Sequence, residues 1–393
     1  MRKFWAFCVV IVALAGVGGN VSAQTLATLS ESNNQFAFNL YQRYAARGGN
    51  VFFSPYSLAT ALGMTYEGAR GKTADEMRTV LGFSADDAAR RAATSEMIGR
   101  LNVEDPLFEL TMANALWAQK GFSFLPDYLK MVKTVYGGEA RSLDFFADAE
   151  NSRITINSWV AEQTRDRIKD LLPERSLNSS TRLVLTNAVY FKGQWQTAFD
   201  KSQTTLSAFW LSPETFKDVA MMHKLDSFAY GENDAAQFLE LPYKGDELSM
   251  IVILPKDRTA AALAAGAWQV KMAPEKVSVS LPSFEFGEGS ELSDDLKALG
   301  MASAFGQGAD FSGMTGKPDL YIGAVYHKAW IKVNEEGTEA AAATAVTMED
   351  KAVFLEEAPP KVFYADRPFI FMIQDRRSGQ ILFMGRVTDP AAQ

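Results

Sequence analysis

Cysteine is almost missing from this chain: 393 residues contain one, Cys8, and it lies in an apolar amino-terminal stretch. Disulfides, thiol nucleophiles and thiolate metal sites are thereby excluded downstream of it. Histidine is nearly as scarce. His223 and His327 are the only two, neither at a metal-ligand spacing, which restricts both metal sites and acid-base catalysis. No Gly-x-Ser-x-Gly elbow occurs, and Gly68 to Thr73 keeps only two residues between its glycines where a phosphate loop needs four. An enzyme reading lacks its parts, and no metal or cofactor is implied.

Long apolar runs are also lacking, with one exception. Arg2 and Lys3 precede the stretch Phe4 to Val17, and Val21-Ser22-Ala23 offers small residues for cleavage before Gln24. That is the pattern of an export signal, too short to span a bilayer comfortably, and no later segment approaches about 20 apolar residues. The expectation is a signal peptide over 1–23, a secreted or periplasmic protein, and no membrane partner after cleavage. Without Arg2 and Lys3, 37 basic side chains face 47 acidic ones, a formal charge of −10, which argues against nucleic acid as a partner. The cluster Arg165, Arg167 and Lys169 alternates with Asp166 and Asp170 and reads as a solvated helix face.

The roughly 370 remaining residues are enough for a substantial core without staples. No linker, repeat or low-complexity tract divides them, so a single domain over 24–393 is expected. Phe36, Leu40 and Tyr44 recur at helical spacing behind a possible cap at Asn33 or Asn34 and ahead of Gly48-Gly49. Further helices are predicted over 57–67, 73–81, 151–171 and 292–299, so the first half reads as mainly helical. Strand signals follow over 182–191, 238–241, 249–254, 276–281, 321–333, 369–374 and 380–387. Helices packed on mixed sheets, an α+β class, is the economical architecture.

The most informative stretch is Glu335-Glu336-Gly337-Thr338-Glu339-Ala340-Ala341-Ala342-Ala343-Thr344, which follows a strand-like segment. Taken with period two, one parity is Thr338, Ala340, Ala342, Thr344, Val346 and Met348, uncharged throughout. The other parity begins and ends with acids, Glu339 and Glu349. Alone, the alanine run favours an ordinary surface helix after a turn.

The blocks around it decide between these readings. They are Asn50 to Ser57 (Asn-Val-Phe-Phe-Ser-Pro-Tyr-Ser), Gly68 to Thr73, Thr186 to Trp195 (Thr-Asn-Ala-Val-Tyr-Phe-Lys-Gly-Gln-Trp), Leu239 to Tyr243, Tyr326 to Ala329, Asp366 to Phe369 and Phe383 to Val387. In that order, with the hinge-like run among them, they resemble the serpin family of serine protease inhibitors over nearly the whole chain after the leader. The resemblance implies the serpin fold, a monomer, and an exposed reactive-centre loop over 335–366. It also implies a suicide mechanism: a protease cleaves the loop and is caught as an acyl-enzyme while the loop inserts into the large sheet.

The resemblance further assigns residues. Glu335 to Thr344 become the hinge, and Ser54, Ser57, Asn187 and His327 a polar shutter beneath the central strands. By themselves His327 and Asn187 read as a satisfied core histidine and a strand-end amide. Trp195 and Glu335 fall at the breach where insertion begins, although an isolated tryptophan is more often core packing. The family's usual lysine partner for that acid is replaced here by Ser283, which leaves the latch open. The scissile bond fourteen residues beyond the hinge glycine is Lys351-Ala352, implying a trypsin-like target. The run from Lys351 to Arg367 is longer than in many relatives, so Val353, Phe354 and Leu355 remain alternatives for elastase-like or chymotrypsin-like enzymes. A non-inhibitory binding or carrier protein on the same fold is the competing reading.

Overall fold

The computed structural model describes residues 21–101, 107–257, 270–338 and 358–392. The predicted signal core, the hinge beyond Thr338, Lys351, Ala352 and the alternatives Val353 to Leu355 lie outside the described residues.

Down the chain come α1 (Ala23–Ala45), β1 (Val51–Phe53), α2 (Pro55–Gly68), α3 (Gly71–Leu81), α4 (Asp87–Leu101), β2 (Phe108–Gln119), α5 (Pro126–Tyr136), β3 (Glu139–Leu143) and α6 (Ala149–Gln163). The chain continues through β4 (Leu183–Gln194), β5 (Thr205–Ser212), β6 (Thr215–Glu232), β7 (Ala236–Pro242), β8 (Leu248–Pro255), β9 (Ala273–Pro282) and β10 (Phe284–Glu291). Last are α7 (Ser293–Leu296), α8 (Ser312–Thr315), β11 (Ala324–Asn334), β12 (Gly337–Thr338), β13 (Lys361–Tyr364), β14 (Phe369–Asp375) and β15 (Ile381–Val387).

Two sheets organise these elements. A six-stranded sheet runs β10-β11-β12-β4-β2-β3, and a nine-stranded one runs β1-β15-β14-β8-β7-β6-β9-β13 with β5 paired to β6. The expected α+β class, helices packed on mixed sheets, is therefore present. One core cluster joins both sheets through Phe52, Phe191, Phe284, Phe371 and Phe383; a second packs α1, α2 and α5 against them. The ring of Phe52 stacks on that of Phe383 at 5.4 Å between centroids, which ties β1 to β15. Apolar burial of this kind, at about 25 cal/mol per Å², is the dominant favourable term in folding.

Several local expectations need correction. The first helix starts ten residues before Asn33, capped by the Ser22 hydroxyl, which accepts from the Thr25 N–H. Asn33 is instead buried and donates from Nδ2 to Gln380 Oε1 at 2.9 Å. The helix expected over 151–171 ends at Gln163, because Arg165, Asp166 and Asp170 adopt positive φ. The Thr164 hydroxyl holds the turn by accepting from the Ile168 N–H at 3.2 Å. The Arg165, Arg167, Lys169 cluster thus lies on a turn rather than a helix face. The first half also carries β2, a twelve-residue strand buried on both faces over its second half, where no alternation marks it.

Candidate functional site

The site lies along the seam between β4 and β11. These two strands pair in parallel from Ala324 opposite Val184 to Trp330 opposite Tyr190. Above that point they part, and the two residues of β12 stand between them, antiparallel to both. Gly337 and Thr338 face Asn334 and Val333 of β11, and Gln194 and Gly193 of β4. The hinge is therefore already started into the sheet by two residues, while the seam below is closed.

Local chemistry explains this wedge. The chain turns at Glu335-Glu336 because Asn334 Oδ1 accepts from the N–H groups of Glu336 and Gly337, at 3.0 and 3.2 Å. Gly337 sits at φ +150°, and a Cβ there would stand 2.1 Å from the Gly193 carbonyl oxygen, so only glycine fits. Thr338, the first member of the uncharged parity, is fully buried, and its hydroxyl meets the Tyr243 hydroxyl at 2.7 Å. Burial pushes the Tyr243 phenol well above the usual tyrosine range, so it remains a neutral hydrogen-bonding group.

Both residues expected at the breach are here. The Trp195 ring stacks on Tyr243 with centroids 4.7 Å apart, and its Nε1 donates to the Asn334 carbonyl at 3.0 Å. Its backbone N–H donates to the Glu336 carbonyl at 2.9 Å, and that of Phe199 to the Glu335 carbonyl at 2.8 Å. The Glu335 carboxylate accepts from Thr204 Oγ1 at 2.7 Å, and Glu336 pairs with Lys201 at 2.6 Å. Ser283 plays no part: its N–H donates to the Ala220 carbonyl at 2.9 Å. The carboxylates of Glu335 and Glu336 are thus held by the turn that carries Thr204 and Lys201, not by Ser283.

All four expected shutter residues meet halfway down the seam. Asn187 and His327 are register partners across it. The Ser54 backbone N–H donates to His327 Nε2 at 3.2 Å, so the ring proton is on Nδ1, which faces Asn187 Oδ1 at 2.5 Å. Asn187 Nδ2 donates to Ser57 Oγ at 2.5 Å and to Asn114 Oδ1, while Ser54 Oγ donates to the Leu382 carbonyl at 2.6 Å. Burial lowers the His327 pKa to about 3, which keeps the imidazole neutral. With both ring nitrogens engaged in the interior, this is a structural network rather than a nucleophile and base.

Sequence reasoning missed Asn114, Thr204, Lys201 and the role of Tyr243. Tyr243 was within a quoted block. Asn114 was hidden with its strand, and Thr204 and Lys201 are joined to the hinge only by the fold.

Comparison with known proteins bears on the family and the fold. The family described as Serpin (serine protease inhibitor) matches residues 31–390. An uncharacterized serpin-like protein of Thermococcus kodakarensis is 47% identical over 365 residues, covering 91% of this chain and 84% of that one. The human leukocyte elastase inhibitor is 38% identical over 381 residues, covering 92% and 99%. Among solved structures, Serpin48 of the insect Tenebrio molitor superimposes with a TM-score of 0.84 at 32% identity, covering 94% and 100%. Human thyroxine-binding globulin complexed with thyroine gives 0.85 at 31%, with the same coverage. The chain belongs to the serpin family.

Proposed function

We propose that this protein is a suicide inhibitor of serine proteases, exported by cleavage before Gln24 to a secreted or periplasmic location. Its cleaved loop enters the β4–β11 seam and carries the attached enzyme with it. The observation that carries this reading is the register of β12. Thr338 faces Gly193 and Val333, so each further inserted residue advances one position down both strands. Residue 348 then falls opposite Leu183, the first residue of β4, and residue 347 opposite Ala324, the first of β11.

The sheet thus has room through Met348, where the uncharged parity also ends. A scissile bond at Lys351-Ala352 lies just beyond the bottom of that seam. Fourteen residues from Gly337, at ~3.3 Å each, carry the protease roughly 45 Å, far enough to distort it against the base of the inhibitor. Two new antiparallel ladders replace one parallel pairing, a gain on the order of 10–20 kcal/mol at ~1 kcal/mol per net hydrogen bond. The uncut form is accordingly held by a kinetic barrier.

The lysine selects a trypsin-like target. Incubation with trypsin, elastase and chymotrypsin, followed by sequencing of the released carboxyl-terminal fragment, tests this directly. A denaturant-resistant adduct with trypsin and a fragment beginning at Ala352 are expected. Adducts with elastase or chymotrypsin alone would move the bond to Val353, Phe354 or Leu355. Complete cleavage without any adduct would favour a carrier of the kind that thyroxine-binding globulin represents.

A further inference from the structure

β4 leaves the six-stranded sheet at Gln194 and β5 enters the nine-stranded one at Thr205, so residues 195–204 form a strap between the two sheets. The strap grips the hinge turn by the backbone N–H groups of Trp195 and Phe199 and by the side chains of Thr204 and Lys201. Its middle is held from β6. Lys224 Nζ donates to the carbonyls of Thr197 at 3.0 Å and Ala198 at 2.8 Å, and lies 3.6 Å from Asp226 Oδ2. Only 12% of the Lys224 side chain is exposed, so its three donors are matched by these three acceptors. Packing beneath the strap is open: a cavity of about 140 Å³ is walled by Trp195, Thr197 and Phe199 of the strap, Phe228 of β6 and Leu241 of β7. The hydrogen bonds of a charged donor, stronger than neutral ones, therefore fix this stretch where side-chain packing does not fill it.

We infer that Lys224 is a positioning residue for loop insertion: by fixing the strap it keeps the hinge turn seated at the open end of the β4–β11 seam, with β12 already in register. This rests on the insertion proposed above. The geometry also gives the direction of the effect. The turn at Glu335-Glu336 joins β11 to β12 in the uncut protein, and residues that enter after Thr338 lengthen β12 without displacing that turn. The strap's bonds to Glu335 and Glu336 are thus compatible with every stage of insertion. They act as a nucleus on which the strand grows, not as a latch that must open. Ordering the first residues of a strand costs backbone entropy before its ladder returns any bonds, and a seated turn has met that cost before the protease arrives.

Lys224→Met keeps the apolar stem and removes the donors, and Lys224→Arg restores donors for both carbonyls. The uncleaved full chain is digested with a glutamate-specific protease, and fragments beginning at Glu336 or Gly337 are followed. Nicking tracks the population of the opened turn, so Lys224→Met is expected to release these fragments about tenfold faster, equivalent to ~1.4 kcal/mol, with Lys224→Arg close to wild type. Thermal melting of Lys224→Met stays at the wild-type temperature, which separates a loosened turn from a general loss of stability. With trypsin, the loop of Lys224→Met is expected to be consumed at the wild-type rate, while a larger share of encounters ends in cleaved inhibitor instead of covalent adduct. Should Lys224→Met not fold, Lys224→Gln, which lacks the charge, provides the same comparison. Wild-type nicking in the variant, no rescue by arginine, or an undiminished share of adduct from a variant whose turn opens would each overturn the assignment. Absence of adduct from the wild type itself would instead overturn the inhibitory reading, and the nicking comparison would still decide whether Lys224 holds the turn.

Discussion

On the proposed insertion Thr344 is the residue that meets the shutter, and Thr344→Val is the perturbation that tests both. Counting from Thr338 opposite Gly193 and Val333, six further residues bring Thr344 opposite Asn187 and His327. In the closed seam these two satisfy each other, Nδ1 to Oδ1 at 2.5 Å. A strand entering between β4 and β11 doubles their separation from about 4.8 to about 9.6 Å, beyond the reach of that hydrogen bond. A threonine hydroxyl arriving at the same level accepts from His327 Nδ1 and donates to Asn187 Oδ1, restoring both partners. Valine has the same shape without the hydroxyl, so it leaves two buried polar groups unpaired, at about 1–3 kcal/mol each. The cleaved, inserted form of Thr344→Val is therefore expected to lose roughly 2–6 kcal/mol, while the uncleaved form, whose pair is already closed, is unchanged. Guanidinium unfolding of cleaved and uncleaved protein reads the difference, and Thr347→Val, on the outward parity, is the control. Cleaved Thr344→Val and cleaved wild type unfolding at the same denaturant concentration would refute the register and the bridging role together.

Three other perturbations follow from the same geometry. Ala340→Arg places a guanidinium on the inward parity opposite Phe191 and Ile331, positions less than 2% exposed, so insertion slows and the protein becomes a substrate; undiminished yields of covalent protease adduct on gels would contradict this. Gly337→Ala drives a Cβ into the Gly193 carbonyl, 2.1 Å away, and should expel β12 at a strain above about 1–3 kcal/mol. Faster nicking near Glu335 and Glu336 by a glutamate-specific protease is the expected readout, and wild-type resistance would count against it. For His327 the folded pKa is depressed to about 3, so the unfolded chain binds a proton below its ordinary value near 6.5 and the folded one does not. Its contribution to stability is thus lost as pH falls through that window, about 2 kcal/mol between pH 7 and pH 5. His327→Gln should flatten the pH dependence of unfolding by that amount, and parallel curves for the two proteins would exclude the assignment.

What was legible in the sequence follows a physical pattern. Ser54, Ser57, Asn187 and His327 were readable because each sits in a contiguous block that resembles the serpin family's, whereas their own chemistry marked His327 and Asn187 only as a core histidine and a strand-end amide. Asn114 completes the same network through Asn187, yet its strand is buried on both faces there and shows no period to read. Asn33 looked like a helix cap because the pattern of Phe36, Leu40 and Tyr44 begins nearby, whereas the packing of α1 on β15 turns it inward to Gln380. Thr204 and Lys201 hold the hinge from 131 and 135 residues away, a proximity that no local signal carries.

The loop's length has a different origin from its composition. Three boundaries coincide although different forces set them: β4 begins at Leu183, the register carries residue 348 to that point, and the uncharged parity ends at Met348. A protease recognises only the few residues around the bond it cuts and places no demand on where a distant strand stops. On the proposed mechanism, a run matched to the sheet's own extent is therefore a property of the fold rather than of its target. Its small, uncharged inward side chains are fixed by the seam they must enter, and only the residues beyond Met348 are left free to choose the enzyme.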